Sequence, residues 1–187
     1  PTYLGTFVDN HDVFRANGIL TESQYKNNLN YIYLFRGVPI VYYGTEAMYS
    51  WPGAKATTNK EDVCARWMLG DQGIDYVKTN KPPMYKHLKM LNALRRSSEV
   101  LRKGQQTNLV MKGDQAVIKR VYNTTTIYAA MTKGAAYTYQ LTGIEDGTYK
   151  KYIPDSANGT FTTQTITVSG GSYTLDVPAN SFVAIEK

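Results

Sequence analysis

From Leu101 to Lys187 the chain is written in short segments of alternating apolar and polar residues, rich in Thr, Tyr and Val, separated by pairs that favour tight turns. Strands are predicted at Asn108 to Lys112, Gln115 to Tyr122, Thr126 to Thr132, Tyr137 to Thr142, Thr148 to Ile153, Thr160 to Val168, Ser172 to Val177 and Phe182 to Ile185. Between them, Gly113-Asp114, Asn123-Thr124, Lys133-Gly134, Asp146-Gly147, Asn158-Gly159 and Gly170-Gly171 supply residues that tolerate positive φ, as tight hairpins need. Side chains that alternate along eight such strands can bury one face only against a second layer, which predicts an antiparallel β-sandwich.

The residues before Val100 follow a different rhythm. Thr6 to Asp9 reads as a short apolar strand, and Thr21-Glu22-Ser23-Gln24 is a capping box that starts a helix carried on by Tyr25, Leu29, Ile32, Tyr33, Phe35 and Arg36. Gly37 suits its end, and Val38 to Tyr43 reads as a buried strand. The stretch from Gly44 to Lys81 is longer than an ordinary connector and is a candidate working loop. Pro82-Pro83 then opens a helix whose apolar face is Met84, Leu88, Leu91 and Leu94, with Arg95 and Arg96 where cations suit the helix dipole. Two units are expected, residues 1–99 and residues 100–187.

Charge and composition exclude several function classes. The net charge of +6 divides evenly between the halves, with no run of like charges, so neither a nucleic-acid footprint nor a membrane patch is expected. A single cysteine, Cys64, forms no internal disulfide and leaves the redox compartment open. No stretch approaches the roughly 18 apolar residues of a membrane span. The opening Pro1-Thr2-Tyr3-Leu4-Gly5 carries no initiator Met or signal pattern, and reads as cut from something longer.

The densest polar cluster is Asp9-Asn10-His11-Asp12, at the end of the first predicted strand, with Arg15 three residues on. Groups at the C-terminal ends of strands in α/β barrels and open sheets face the ligand site, which gives a carboxylate and an imidazole there a mechanistic use. Asp, Asn and His after a strand are also ordinary turn and capping residues.

Phe7-Val8-Asp9-Asn10-His11-Asp12 resembles the fourth conserved motif of the α-amylase family, glycoside hydrolase family thirteen, at the end of the seventh barrel strand. Arg36-Gly37-Val38-Pro39-Ile40-Val41-Tyr42-Tyr43-Gly44-Thr45-Glu46 resembles its eighth strand and the turn that follows. Asp62 and Arg66 resemble the Asp and Arg that bind glucose units on the non-reducing side of the cleavage point, although Glu61-Asp62-Val63 departs from the usual Asp-Pro opening. Leu91 to Lys103 resembles the last barrel helix, and Val177 to Val183 the closing strand of the β-domain C.

The resemblance implies a C-terminal fragment of a TIM (β/α)8 barrel followed by an antiparallel β-sandwich, domain C. It implies action on α-glucan by the retaining route, in which two carboxyl groups about 5 to 5.5 Å apart flank the bond. Asp12 would be the third carboxylate, stabilising the transition state, and His11 would hydrogen-bond the same sugar. Arg15, Asp62 and Arg66 would bind substrate. The family's nucleophile and acid follow the fourth and fifth strands, and nothing here corresponds to them. The chain alone is therefore expected to be inactive without the N-terminal part of the barrel, in the same or a separate chain. Hydrolysis of starch or maltodextrin in the manner of an α-amylase is expected; a cyclodextrin glucanotransferase or a non-catalytic carbohydrate-binding fragment are the alternatives. Secretion follows from a polymeric substrate. Calcium is common in the family, with ligands from segments outside this chain.

Tyr49 and Trp51, close together in the long loop, are read as sugar contacts or as loop packing, because a pyranose packs its C–H face on an aromatic ring. His11 and His87 are the only histidines, and with one Cys they form no zinc spacing. His87, between Met84 and Leu88, reads as structural or surface, and Cys64 as a packed free thiol.

Overall fold

The computed structural model describes residues 4–49 and 73–187. Two short strands, β1 (Gly5–Thr6) and β2 (Val38–Pro39), pair in parallel, joined by α1 (Ala16–Ile19) and α2 (Glu22–Leu34). A 3₁₀ turn (Thr45–Ala47), α3 (Ile74–Asn80), α4 (Pro83–Ser97) and α5 (Glu99–Lys103) follow. Eight strands complete the chain: β3 (Gln105–Lys112), β4 (Gln115–Tyr122), β5 (Thr125–Thr132), β6 (Tyr137–Thr142), β7 (Gly147–Asp155), β8 (Thr160–Val168), β9 (Ser172–Val177) and β10 (Phe182–Glu186). None of the described helices is long and apolar enough to cross a membrane.

The strands form a six-stranded antiparallel sheet, β3-β4-β5-β10-β7-β8, faced by the pair β6-β9. Alternation along β4 and β5 explains the layering. Val117, Tyr128 and Ala130 point between the two sheets, onto Leu141, Leu175 and Val177. Ile118, Ile127, Ala129 and Met131 point the other way, into a core shared with Tyr25, Leu29, Met84, Leu91 and Leu101 of the helices. β10, buried along nearly its whole length, carries side chains into both cores. The six-stranded sheet thus lies between a helical layer and a smaller sheet.

The capping box forms as expected: the Gln24 amide donates to Thr21 Oγ1, and the Thr21 amide to Gln24 Oε1 at 2.9 Å. Four expectations need correction. The first strand is two residues, not Thr6 to Asp9. α2 stops at Leu34, with Phe35 extended, because its last carbonyls bond to arginines from other elements. The segment Val38 to Tyr43 is a strand only at Val38–Pro39 and is not buried, Ile40 being 53% exposed. Its only strand partner among the described residues is β1, and Pro39 has no N–H to donate. Finally, Lys133-Gly134 and Asp146-Gly147 make no hairpins, since β6 pairs with β9 and β7 with β8 and β10. Asp146 instead accepts the amides of Gly170 and Gly171 at 3.1 and 2.7 Å, closing a corner between the sheets.

Arg95 is also not where its position near the end of α4 implied. It is buried and donates to Tyr33 O at 2.7 Å and to Gly37 O, serving the end of α2 instead of its own helix. His87 is structural: 2% exposed, it places Nδ1 2.9 Å from Ser156 Oγ and Nε2 3.3 Å from Lys26 O, joining α4 to α2 and to the β7–β8 turn. Gly159 in that turn has φ +70, and a Cβ there would lie 2.8 Å from Lys86 O. Only glycine lets the turn approach α4 this closely.

Candidate active site

The loop after β1 has a buried frame and an exposed tip. Asp9 is 3% exposed, and its Oδ2 accepts the Ala16 amide at 2.8 Å and the Tyr25 hydroxyl at 3.1 Å. Tyr25 Oη is also 3.0 Å from Thr45 Oγ1, which donates to Tyr42 O at 2.7 Å, so the frame reaches the loop after β2. Burial, and then the Asp9 carboxylate, push the Tyr25 phenol well above its ordinary range, so it stays neutral and donates.

Asn10 Oδ1 accepts the Asp12 amide at 2.7 Å, an Asx turn that lifts the next two side chains out of the frame. His11 Nε2 lies 3.1 Å from Asp12 Oδ2, with side chains 66% and 54% exposed. Within this motif Asp9 and Asn10 make the turn and its buried anchor, while His11 and Asp12 are presented at the exposed tip. The pair can accept and donate hydrogen bonds to neighbouring hydroxyls of one polyol, and a carboxylate there can stabilise developing positive charge.

Arg15 departs from the expectation that it binds substrate. It is 1% exposed; its Nε donates to Tyr49 O at 3.2 Å and its Nη2 to Tyr43 O at 3.0 Å. The guanidinium lies 4.5 Å from the centre of the Tyr42 ring and 3.8 Å from Asp9 Oδ2. Its role is to lock the two loops together. Tyr49 is half-buried beside it, its phenol raised by burial. Trp51, Asp62, Cys64 and Arg66 lie outside the described residues.

Sequence reasoning missed Tyr25, Thr45 and Arg15 as the frame. Tyr25 looked like any apolar-face residue of α2, and only the fold brings it to Asp9, sixteen positions away.

No family model matches the chain. It is 27% identical over 172 residues to a cyclomaltodextrin glucanotransferase of Paenibacillus macerans, covering 90% of this chain and 22% of that protein. All of the chain superposes on 39% of an α-amylase from Geobacillus thermoleovorans complexed with acarbose, with a TM-score of 0.74 and 22% identity. It superposes equally fully on 37% of a cyclomaltodextrin glucanotransferase of three-domain ABC distribution, with a TM-score of 0.75 and 24% identity. The fold is that of part of an α-amylase-type enzyme: a C-terminal fragment of a (β/α)8 barrel followed by a β-sandwich domain C. The chain is thus similar in sequence to cyclomaltodextrin glucanotransferases and in fold to α-amylases. It spans about a fifth of the length of the curated relative it matches.

Proposed function

We propose that this chain is the part of a retaining α-glucan-acting enzyme that supplies the third carboxylate, Asp12, and its neighbour His11. Residues 1–99 complete the catalytic barrel and residues 100–187 form domain C. The observation that carries this reading is the division of labour in the β1 loop, where buried Asp9 and Arg15 fix the backbone while His11 and Asp12 stand exposed. A polar pair held out by a buried frame suits a polyhydroxyl ligand better than a folding role.

Asp12 accepts hydrogen bonds from sugar hydroxyls that strengthen as the ring distorts and becomes oxocarbenium-like, so its contribution grows toward the transition state. His11 donates to the same sugar. The nucleophile and general acid belong to barrel segments outside this chain. Exposed Leu4, Phe7, Val38 and Ile40 beside the β1–β2 pair fit a face covered by those segments. Tyr49, Trp51, Asp62 and Arg66 bind further glucose units.

The reaction is hydrolysis of α-1,4 bonds of starch or maltodextrin by a secreted enzyme. A second reading, transfer to a sugar acceptor, is favoured by the cyclomaltodextrin glucanotransferases among the relatives. Calcium, implied by the family, is assigned no residue: among the described residues no three His, Cys, Asp or Glu side chains come together to hold an ion.

The test is Asp12→Asn in the complete enzyme, which is expected to lower kcat by about 100-fold or more with little change in KM and an unchanged circular dichroism spectrum. A variant that keeps half its turnover removes Asp12 from the mechanism. Product analysis separates the readings: linear maltooligosaccharides mark hydrolysis, cyclic ones transfer.

A further inference from the structure

Two arginines are buried against the end of α2 with backbone carbonyls as their partners. Arg120 of β4, 1% exposed, donates from Nη1 to Leu34 O at 3.2 Å and Phe35 O at 3.0 Å, and from Nη2 to Gly104 O at 3.0 Å. Arg95 takes carbonyls on either side of these, Tyr33 before and Gly37 after. No carboxylate pairs with either among the ion pairs of the described residues. Burial, and then Arg95, pull Arg120 down to about 10, and its Nε is buried without a hydrogen-bond partner. Such an arrangement is costly for a sheet residue, because a packed apolar side chain would fill the same strand position without desolvating a charge. What it supplies is direction: a planar fork that reaches out of the sandwich and fixes the carbonyls at the negative end of α2.

The carbonyls of Leu34 and Phe35 lie four and three residues before β2, and β2 holds β1. The Val38 amide donates to Leu4 O and the Ile40 amide to Thr6 O, both at 2.8 Å. Gly37, at φ +115, lies so close to β1 that a Cβ would be 2.8 Å from Leu4 O. β1 runs directly into Asp9 and the His11–Asp12 tip. The contacts are continuous from Arg120 to the exposed pair, through the end of α2, Gly37, β2 and β1.

We propose that Arg120, a residue of the sandwich, is a positioning residue for the His11–Asp12 loop, acting through the carbonyls of Leu34 and Phe35 and the β2–β1 pair. The inference rests on the reading of that loop as the glucan site. It makes domain C part of the device that sets active-site geometry, and not only a covering for the barrel helices.

The experiment uses the complete enzyme and three variants, Arg120→Met, Arg120→Lys and, as control, Val117→Ala. Val117 lies on the same strand with its side chain in the other core, so its truncation weakens the sandwich without touching α2. Arg120→Met is expected to lower kcat about tenfold with KM within about twofold, and to speed amide exchange in peptides covering residues 34–40 by about tenfold. Val117→Ala should move neither quantity. The lysine keeps the charge but offers one ammonium to three carbonyls, so both effects should fall between methionine and wild type. Exchange that speeds with kcat unchanged overturns the proposal, as does a Val117→Ala enzyme that loses kcat as much as Arg120→Met. Should the methionine variant not fold, a lysine variant indistinguishable from wild type in both readouts overturns it as well. If Asp12→Asn is active, the site assignment fails by itself, whatever Arg120 does to exchange.

Discussion

The hydroxyl of Tyr25 lies 3.1 Å from Oδ2 of Asp9, and through this contact helix α2 takes hold of the loop that follows β1. The same oxygen accepts the Ala16 amide, so one carboxylate ties the loop to both helices that follow it. Tyr25→Phe leaves the shape intact and removes one donor from a buried anion, which costs about 1 to 3 kcal/mol. Urea unfolding of the variant checks the figure, and a loss below about 0.5 kcal/mol would mean that the Ala16 amide alone satisfies Asp9.

His11→Ala in the complete enzyme is expected to lose about 1 to 3 kcal/mol of transition-state stabilisation, read from kcat/KM on one soluble glucan at one pH. Its effect should be smaller than that of Asp12→Asn. The opposite order would show that the two residues exchange roles.

Gly37→Ala tests how the parallel pair closes. The substitution imposes a φ that L-residues avoid and brings a methyl group against Leu4 O and the Thr6 side chain, each at 2.8 Å. A destabilisation of about 1 to 3 kcal/mol is expected, with faster amide exchange confined to β1 and β2. An alanine variant as stable as wild type would require the β1–β2 contact to be absent in solution.

His87 predicts an acid-sensitive seam. Burial, then the Lys26 charge, hold its imidazole down to about 4 in the folded protein, against the Lys26 carbonyl that favours the proton. Lys26 is itself paired with Glu22 at 2.6 Å, and Ser156 faces the ring from the β7–β8 turn. Between pH 6.5 and 4 the unfolded chain binds a proton that the folded one refuses. The stability held by neutral His87 is therefore complete above pH 6.5 and lost progressively toward pH 4. The total is about 3 kcal/mol. Chemical denaturation at pH 7.5 and 4.5 measures the loss, and His87→Gln should remove most of the difference between those two values.

Much of the sandwich was legible in the sequence because its two signals are local. Period-two alternation with positive-φ turn residues delimited β4, β6, β8 and β9 residue for residue, and placed the other strands to within a few positions. Pairing was less legible, since Asp146-Gly147 has hairpin chemistry but serves a corner, a choice made by β10 inserting between β5 and β7. In the site, the motif Asp9 to Asp12 stood out in the sequence, but its internal division did not. Arg15 reads as a solvent-facing cation until Tyr43 and Tyr49, about thirty residues away, present their carbonyls to it. Arg95 reads as serving its own helix, and Arg120 does not stand out at all, because neither has a charged partner that a pattern could pair it with.

The apolar core between the helices and the six-stranded sheet has a bearing on how chains of this fold recombine. Ile118, Phe182 and Tyr152 of the sandwich and Leu29, Met84 and Leu101 of the helices bury one another. A chimaera spliced between α4 and β3 would exchange one half of that interior for a stranger's, and strand Arg120 before carbonyls it was not shaped for. The exchangeable module is larger than the sandwich: it starts no later than α2, so crossovers that keep α2, α4 and β3–β10 from a single parent should yield folded offspring where domain-by-domain grafts do not.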